Sequence, residues 1–228
     1  VGGGIVPGEF LPTEPELGST YNVSRTSVRE AMRVLSAKGL VEIRQKVGTR
    51  VQSVEHWNIF DSDILRWHHE VGRGDAVMLD LIELRQILEP AAAKLAASRA
   101  NMDQHRSLKS AIQSMQNQLD NHEGFARADV DFHLAGYEAS QDSFLHRFGT
   151  VVADFLQRVF LIQQEVVRDR EALEIDVQLH NEVYEAINRG DGELAADKML
   201  TVVLEGKNSL IEALKFDANS KYPNLRGE

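Results

Sequence analysis
Residues 13–50, TEPELGSTYNVSRTSVREAMRVLSAKGLVEIRQKVGTR, leave the chain few folds to choose from. Thr13 and Glu16 have capping-box spacing, in which each side chain satisfies a backbone N–H that a new helix leaves unpaired. A helix therefore starts at Thr13, and Tyr21-Asn22-Val23 breaks it. Ser24 is a strong N-cap for a second helix, whose apolar positions Val28, Met32, Val34, Leu35 and Leu40 suit an inward face. Gly39 closes that helix. Val41-Glu42-Ile43-Arg44 and Thr49-Arg50-Val51 then alternate around Gln45-Lys46-Val47-Gly48, as a two-stranded hairpin requires.

The second helix opens on Arg25, Thr26, Ser27, Arg29 and Arg33, donors suited to phosphates and base edges, on a rod that fits a major groove. Arg44, Lys46 and Arg50 cluster near the hairpin tip. Two helices, a sharp turn and a basic hairpin together describe a winged helix-turn-helix. A purely structural helix pair with solvated arginines is the plainer reading, and the added wing and the placement of the basic groups weigh against it.

Charge is shared unevenly. Residues 1–53 hold 7 Lys and Arg against 5 Asp and Glu, a net of +2, while the remainder holds 18 against 30, a net of −12; together they give −10. Phosphate attraction is local, screened within roughly 8 Å at physiological salt, so the acidic net charge does not rule out DNA binding by a basic N-terminal part. The C-terminal part is not itself a nucleic-acid surface. No apolar run approaches the roughly 20 residues needed to span a bilayer, and the absence of cysteine fits a reducing cytoplasm. Cytoplasmic placement rests mainly on the DNA-binding reading.

At 228 residues the chain suits two domains. The expected division is a DNA-binding domain over 1–53, a linker with a connector helix through Ile64, Leu65 and Trp67 over 54–74, an all-helical domain over 75–218, and a tail over 219–228. Beyond Gly74 the apolar spacing is helical throughout, over about 76–99, 102–121, 123–140, 142–168, 171–189 and 191–215. Asp75, Asn101 and Asp191 serve as N-caps and Gly190 as a stop. The fold class is mainly α: a winged helix-turn-helix followed by an antiparallel bundle of six or seven helices, counting the connector helix.

One constellation in the bundle departs from ordinary patterning. Asp129 and His133 share a helix face at i and i+4, and His180 lies on a helix whose Val183, Ala186 and Ile187 face inward. A carboxylate and two imidazoles converging inside a bundle suit Zn²⁺, Ni²⁺ or Mn²⁺, with positions left for water or an anion. A surface ion pair together with a hydrogen-bonded core histidine accounts for the same spacing.

The first domain resembles the GntR superfamily of bacterial transcription regulators over residues 5–51, through Pro7-Gly8, Leu11-Pro12-Thr13-Glu14, Val23 to Ala31, Gly39-Leu40 and Gly48-Thr49. The remainder, to about residue 210, resembles the FadR-type branch with an FCD effector domain. The likeness is carried by Glu83 to Pro90, Leu95-Ala96-Ala97, Asp129-x-x-Phe132-His133, and His180-x-x-Val183-x-x-Ala186-Ile187-x-x-Gly190-Asp191. The connector from Trp57 to Trp67 is similar to that of sugar-acid repressors of the galactonate-operon type. This resemblance implies a homodimer gripping a palindromic operator, with a helical domain that binds a small carboxylate beside a metal ion. It also implies DNA contacts by Arg25 and Arg29 flanked by Ser24 and Thr26, Gly48 at the wing tip, metal ligands at Asp129, His133 and His180, and an effector-facing Arg85.

Three departures matter. Val202 stands where many relatives carry a fourth histidine ligand, Pro15 where many carry a DNA-contacting arginine, and Gln141-Asp142 where a small residue and Asn are frequent. Relatives usually begin with a full helix before Gly4; if the protein truly lacks it, the domain loses buried surface, and if it precedes Val1, the functional reading stands. Rival readings are a metal-free acyl-CoA or fatty-acid regulator of the same family, a two-His-one-carboxylate metalloenzyme and a pure interaction module. Neither a HExxH base nor a nucleophile motif supports the enzyme.

Overall fold
The computed structural model describes residues 1–70, 74–163 and 169–221, and the chain divides into two compact units, Val1–Gly74 and Asp75–Glu228. In the first unit, α1 (Glu14–Tyr21) opens on Thr13, whose N–H donates to Glu16 Oε2 at 2.7 Å. Asn22 ends it in the left-handed conformation at φ 53°, which Asn tolerates better than most residues. Helix α2 (Arg25–Ala37) follows, capped by Ser24, whose hydroxyl accepts from Ser27 N–H at 3.1 Å.

Gly39 closes α2 as a Schellman turn: Leu40 N–H donates to Leu35 C=O and Gly39 N–H to Ser36 C=O, both at 3.0 Å. Only glycine fits there, because φ is +77° and a Cβ would lie 1.9 Å from the His56 carbonyl oxygen. Val28 and Leu40 are buried as expected and Met32 and Leu35 half-buried, but Val34 is 50% exposed. Six residues beyond Val28, it is rotated well off the inward face.

The wing pairs β1 (Val41–Arg44) with β2 (Gly48–Val51) in antiparallel register, Val41 opposite Val51 and Arg44 opposite Gly48. The turn is therefore Gln45-Lys46-Val47, one residue shorter than expected, with Lys46 at φ 64°. The N-terminal arm adds to the sheet: Phe10 bridges Arg50, Leu11 N–H donates to Thr49 C=O, and Gly8 N–H donates to Val51 C=O.

After a 3₁₀ turn at Val54–His56, the connector helix α3 (Ser62–Glu70) packs with the winged unit. Ile64 joins Leu40 and Val41 in one core that Leu11, Leu35, Trp57 and Trp67 border. Lys38, at the end of α2, reaches Asp61 at 2.6 Å and Asp63 at 3.0 Å.

Among its described residues the second unit is built of helices joined by short turns: α4 (Gly74–Arg99, beginning at the last residue of the first unit), α5 (Met102–Asn117), α6 (His122–Ala139), α7 (Ser143–Gln163), α8 (Arg170–Asn188) and α9 (Gly192–Lys221). Polar caps set the reversals. Asn101 accepts from Gln104 N–H at 3.0 Å, Asp142 from Leu145 N–H at 3.0 Å, Asp169 from Ala172 N–H at 2.9 Å and Asp191 from Leu194 N–H at 3.1 Å. Gly190, at φ 73°, ends α8.

The helix expected over 102–121 stops at Asn117, and that expected over 142–168 is described only to Gln163. Helix α9 continues through Lys221, and the rest of the expected tail lies outside the described residues. Helix α6 is the centre of the bundle, with Phe125, Phe132 and Tyr137 each at most 1% exposed. It packs on α5 and α7, while α8 packs on α5 and α9. Each such fully buried aromatic contributes about 1.5–3 kcal/mol, which anchors α6 and the polar groups it carries.

Candidate metal centre and nucleic-acid surface
On the first unit, Ser24, Arg25, Thr26, Ser27, Arg29 and Arg33 are all exposed along one end of α2, and Arg44, Lys46, Gly48 and Arg50 are exposed on the wing. Arg29 Nε lies 3.3 Å from Glu14 Oε1, Arg33 meets Glu30 at 2.7 Å, and Arg44 meets Glu42 at 3.0 Å. Each pair is solvent-exposed, so each is weak and open to competition from a phosphate. Two residues carry structural duties as well. Ser24 is engaged in the helix cap, and Arg50 Nε donates to the Gly8 carbonyl at 2.7 Å, pinning the arm to the wing.

In the second unit, Asp129 and His133 on α6 and His180 on α8 are brought together and buried, with 8%, 3% and 3% exposure. One ligand-type atom from each falls within 4.8 Å of the others. His180 Nε2 is 2.9 Å and His133 Nε2 3.8 Å from Asp129 Oδ1. The surface ion pair is thereby ruled out as the explanation of Asp129 and His133. Phe132, the residue before His133, packs edge-on against both rings, with centroids 4.9 Å from His180 and 6.0 Å from His133.

Helix α4 supplies two groups. Arg85 and Glu89, 4% and 2% exposed, are paired at 2.5 Å from Nε to Oε1. Arg85 Nη2 is 3.4 Å from His133 Nε2, and Glu89 Oε2 is 2.7 Å from His133 Nδ1. Arg85, read from the sequence as facing an effector, is thus held by a buried carboxylate. Glu89 escaped the sequence reading because Arg85 and Glu89 at i and i+4 look like one more surface pair. Their position inside a segment rich in Leu, Ile and Ala was the available signal.

The electrostatics are those of a buried, mutually compensating set. Burial alone would raise the Glu89 carboxyl, but Arg85 and His133 outweigh it and hold the group down to about 2. Burial likewise opposes ionisation of Asp129, and His180 more than offsets it, keeping Asp129 below the usual carboxylate range. Burial would lower His180, yet the Asp129 carboxylate raises it. The Tyr137 hydroxyl, one turn beyond His133, is pushed up by burial and by Glu89.

The donor set fits a divalent cation. His180 Nδ1 is 2.7 Å from the Asp176 carbonyl, which fixes the proton on that nitrogen and turns Nε2 inward. Although close to Asp129, that buried Nε2 makes no in-line hydrogen bond. His133 Nδ1, 2.7 Å from Glu89 Oε2, likewise lies out of line with its neighbour. Val202, in place of a fourth imidazole, is buried at 6% on α9.

A DNA-reading helix with a wing, joined to a bundle with a buried polar centre, defines a DNA-binding transcription regulator rather than an enzyme, and comparison with known proteins agrees. The family described as bacterial regulatory proteins, gntR family, matches residues 1–51, and the FCD domain matches residues 80–204. The chain belongs to the gntR family, in the group that carries an FCD domain.

It is 30% identical to the galactonate operon transcriptional repressor of Escherichia coli K12 over 212 residues, covering 93% of this chain and 92% of that protein. It is 33% identical to the HTH-type transcriptional regulator YieP of the same strain, over 83% of this chain and 80% of that one. Among solved structures, Streptococcus agalactiae GntR superposes with a TM-score of 0.54 at 26% identity, covering 90% of this chain and 91% of that one. Among the described residues, no helix is long and apolar enough to cross a membrane.

Proposed function
We propose that the protein is a cytoplasmic, homodimeric repressor of a catabolic operon for a sugar acid or similar small carboxylate, controlled by effector binding at a metal ion held by Asp129, His133 and His180. The observation that carries this reading is the buried convergence of one carboxylate and two imidazoles around a common point. Zn²⁺, Ni²⁺ or Mn²⁺ suits these donors, and Val202 leaves a coordination position for a ligand oxygen.

Charge favours an anion there. Arg85, Glu89 and Asp129 together carry one negative charge in excess, and a divalent cation turns this into one positive charge in excess. A bound carboxylate neutralises it, and Arg85 lies close enough to pair with a carboxylate on the metal. The likeness to a galactonate operon repressor supports a hydroxylated acid, whose carboxylate and neighbouring hydroxyl chelate together.

The DNA surface in this reading is Ser24, Arg25, Thr26, Ser27, Arg29 and Arg33 on α2, with Arg44, Lys46, Gly48 and Arg50 on the wing. Two such helices in a dimer read half-sites one helical turn apart or a multiple of it. Effector binding shifts operator affinity only by its differential affinity for the two arrangements of the dimer.

The test is elemental analysis of protein dialysed without chelator, beside the Asp129→Ala/His133→Ala double variant, followed by operator-release titrations with sugar acids. Near-stoichiometric metal lost in the variant is expected, together with acid-dependent release that needs the metal. Metal-free wild-type protein that still releases DNA with a ligand would overturn the metal centre.

A further inference from the structure
Glu89 touches two groups of the centre with its two oxygens. Oε1 is 2.5 Å from Arg85 Nε and Oε2 3.4 Å from Arg85 Nη2, while Oε2 also lies 2.7 Å from His133 Nδ1, close but out of line with a ring N–H. An ionised carboxylate only accepts, so at that separation the proton of His133 belongs on Nδ1, and the lone pair of Nε2 then faces Asp129. His180 reaches the same disposition through another acceptor, its Nδ1 lying 2.7 Å from the Asp176 carbonyl. Each of the two imidazoles, on different helices, thus has an acceptor 2.7 Å from Nδ1 and its Nε2 on the side of one carboxylate. Glu89 is 2% exposed, so water is a poor substitute for it.

We propose that Glu89 is the positioning residue of the metal centre: through Oε2 it sets His133 as an Nε2 ligand, and through both oxygens it holds Arg85 beside the same point. The proposal rests on the metal reading above and adds to it which residue outside the ligand set controls metal affinity and the setting of the anion-binding arginine.

Glu89→Gln is the informative change because it preserves shape. Arg85 Nε–H can only donate, so the new amide turns its oxygen toward Arg85 and its NH₂ toward His133. Nδ1 must then accept, the proton moves to Nε2, and the ligating lone pair is lost.

Zinc affinity is measured by competition with a chromophoric chelator, and the tautomer by long-range ¹⁵N NMR of the histidine rings. Expected results are a 10–100-fold loss of zinc affinity in Glu89→Gln, and, in zinc-loaded wild-type protein, a His133 ring bound through Nε2 with its proton on Nδ1. Wild-type protein that binds zinc while Glu89→Gln binds it equally well overturns the role of Glu89 and leaves the metal centre standing. Wild-type protein that binds no zinc overturns both. Should the variant fail to fold, the wild-type spectrum alone decides, since zinc on Nδ1 of His133 excludes the proposal.

Discussion

Replacing Glu89 by leucine takes away the nearest counter-charge of the Arg85 guanidinium in a bundle interior where both side chains are at most 5% exposed. Breaking one side of such a buried pair costs about 3–5 kcal/mol, because the remaining charge loses its nearest counter-charge in a site that water reaches poorly. The carboxyl gives a second route to the magnitude. Held at about 2 from an ordinary value of 4.5, Glu89 is linked to roughly 3 kcal/mol of stability. Because its folded value is the lower one, this contribution is complete above about pH 4.5 and is lost as pH falls toward 2.

The two single changes are unequal. Arg85→Met leaves a carboxylate that can take up a proton, whereas Glu89→Leu leaves a cation that cannot lose one. Glu89→Leu should therefore be the worse by about 1 kcal/mol or more, and the Arg85→Met/Glu89→Leu double variant should lie within about 1 kcal/mol of wild type. Urea unfolding of chelator-treated protein, followed by far-ultraviolet circular dichroism, measures the cycle. Tryptophan fluorescence serves as the internal control, since Trp57 and Trp67 both belong to the winged unit. A Glu89→Leu loss below about 1 kcal/mol would refute the reasoning, since it would mean that the pair is hydrated or contributes nothing on balance.

Arg29→Ala should weaken operator binding by about 1–3 kcal/mol while sedimentation shows the assembly unchanged; unaltered binding in fluorescence anisotropy would remove α2 as the reading helix. Lys46→Ala should weaken specific and non-specific DNA alike and lower the slope of log affinity against log salt by about one. Gly39→Ala should destabilise the winged unit by more than about 2 kcal/mol, seen as an earlier tryptophan transition, because it adds left-handed strain to an overlap with the His56 carbonyl. Val202→His should tighten zinc binding by about tenfold or more in chelator competition, and no gain would mean that this position does not face the metal.

Much of this was legible in the sequence because local chemistry decides it. Thr13 with Glu16, Ser24, Asn101, Gly39, Gly190 and Asp191 each solve a problem at a helix end within a few residues of themselves, and the structure places them there. The Asp129, His133 and His180 cluster could be read because two members share a helix face and the third matches a family motif. What was hidden depends on contacts between distant segments. The arm residue Phe10 pairs with Arg50, forty positions on. Val34 is apolar yet exposed, which periodicity over a single helix could not distinguish from its inward neighbours. Glu89 required knowing that α4 buries a charged turn, for which the apolar run around Arg85 and Glu89 was a hint but not a demonstration.

The close approach at Gly39 says something about how a signal could travel. Lys38 at the end of α2 is tied to Asp61 and Asp63, its carbonyl accepts from Asn58 N–H at 2.9 Å, and Ile64 of the connector shares a core with Leu40 and Val41. The reading helix and the connector helix are therefore one solid piece, like a key and its bow. In the ligand-controlled reading proposed above, a movement of α3 would carry the arginines of α2 with it, because the two helices share this core and these ion pairs. Control of such a reader is a matter of where it is held, and its own fold need not change when the message arrives.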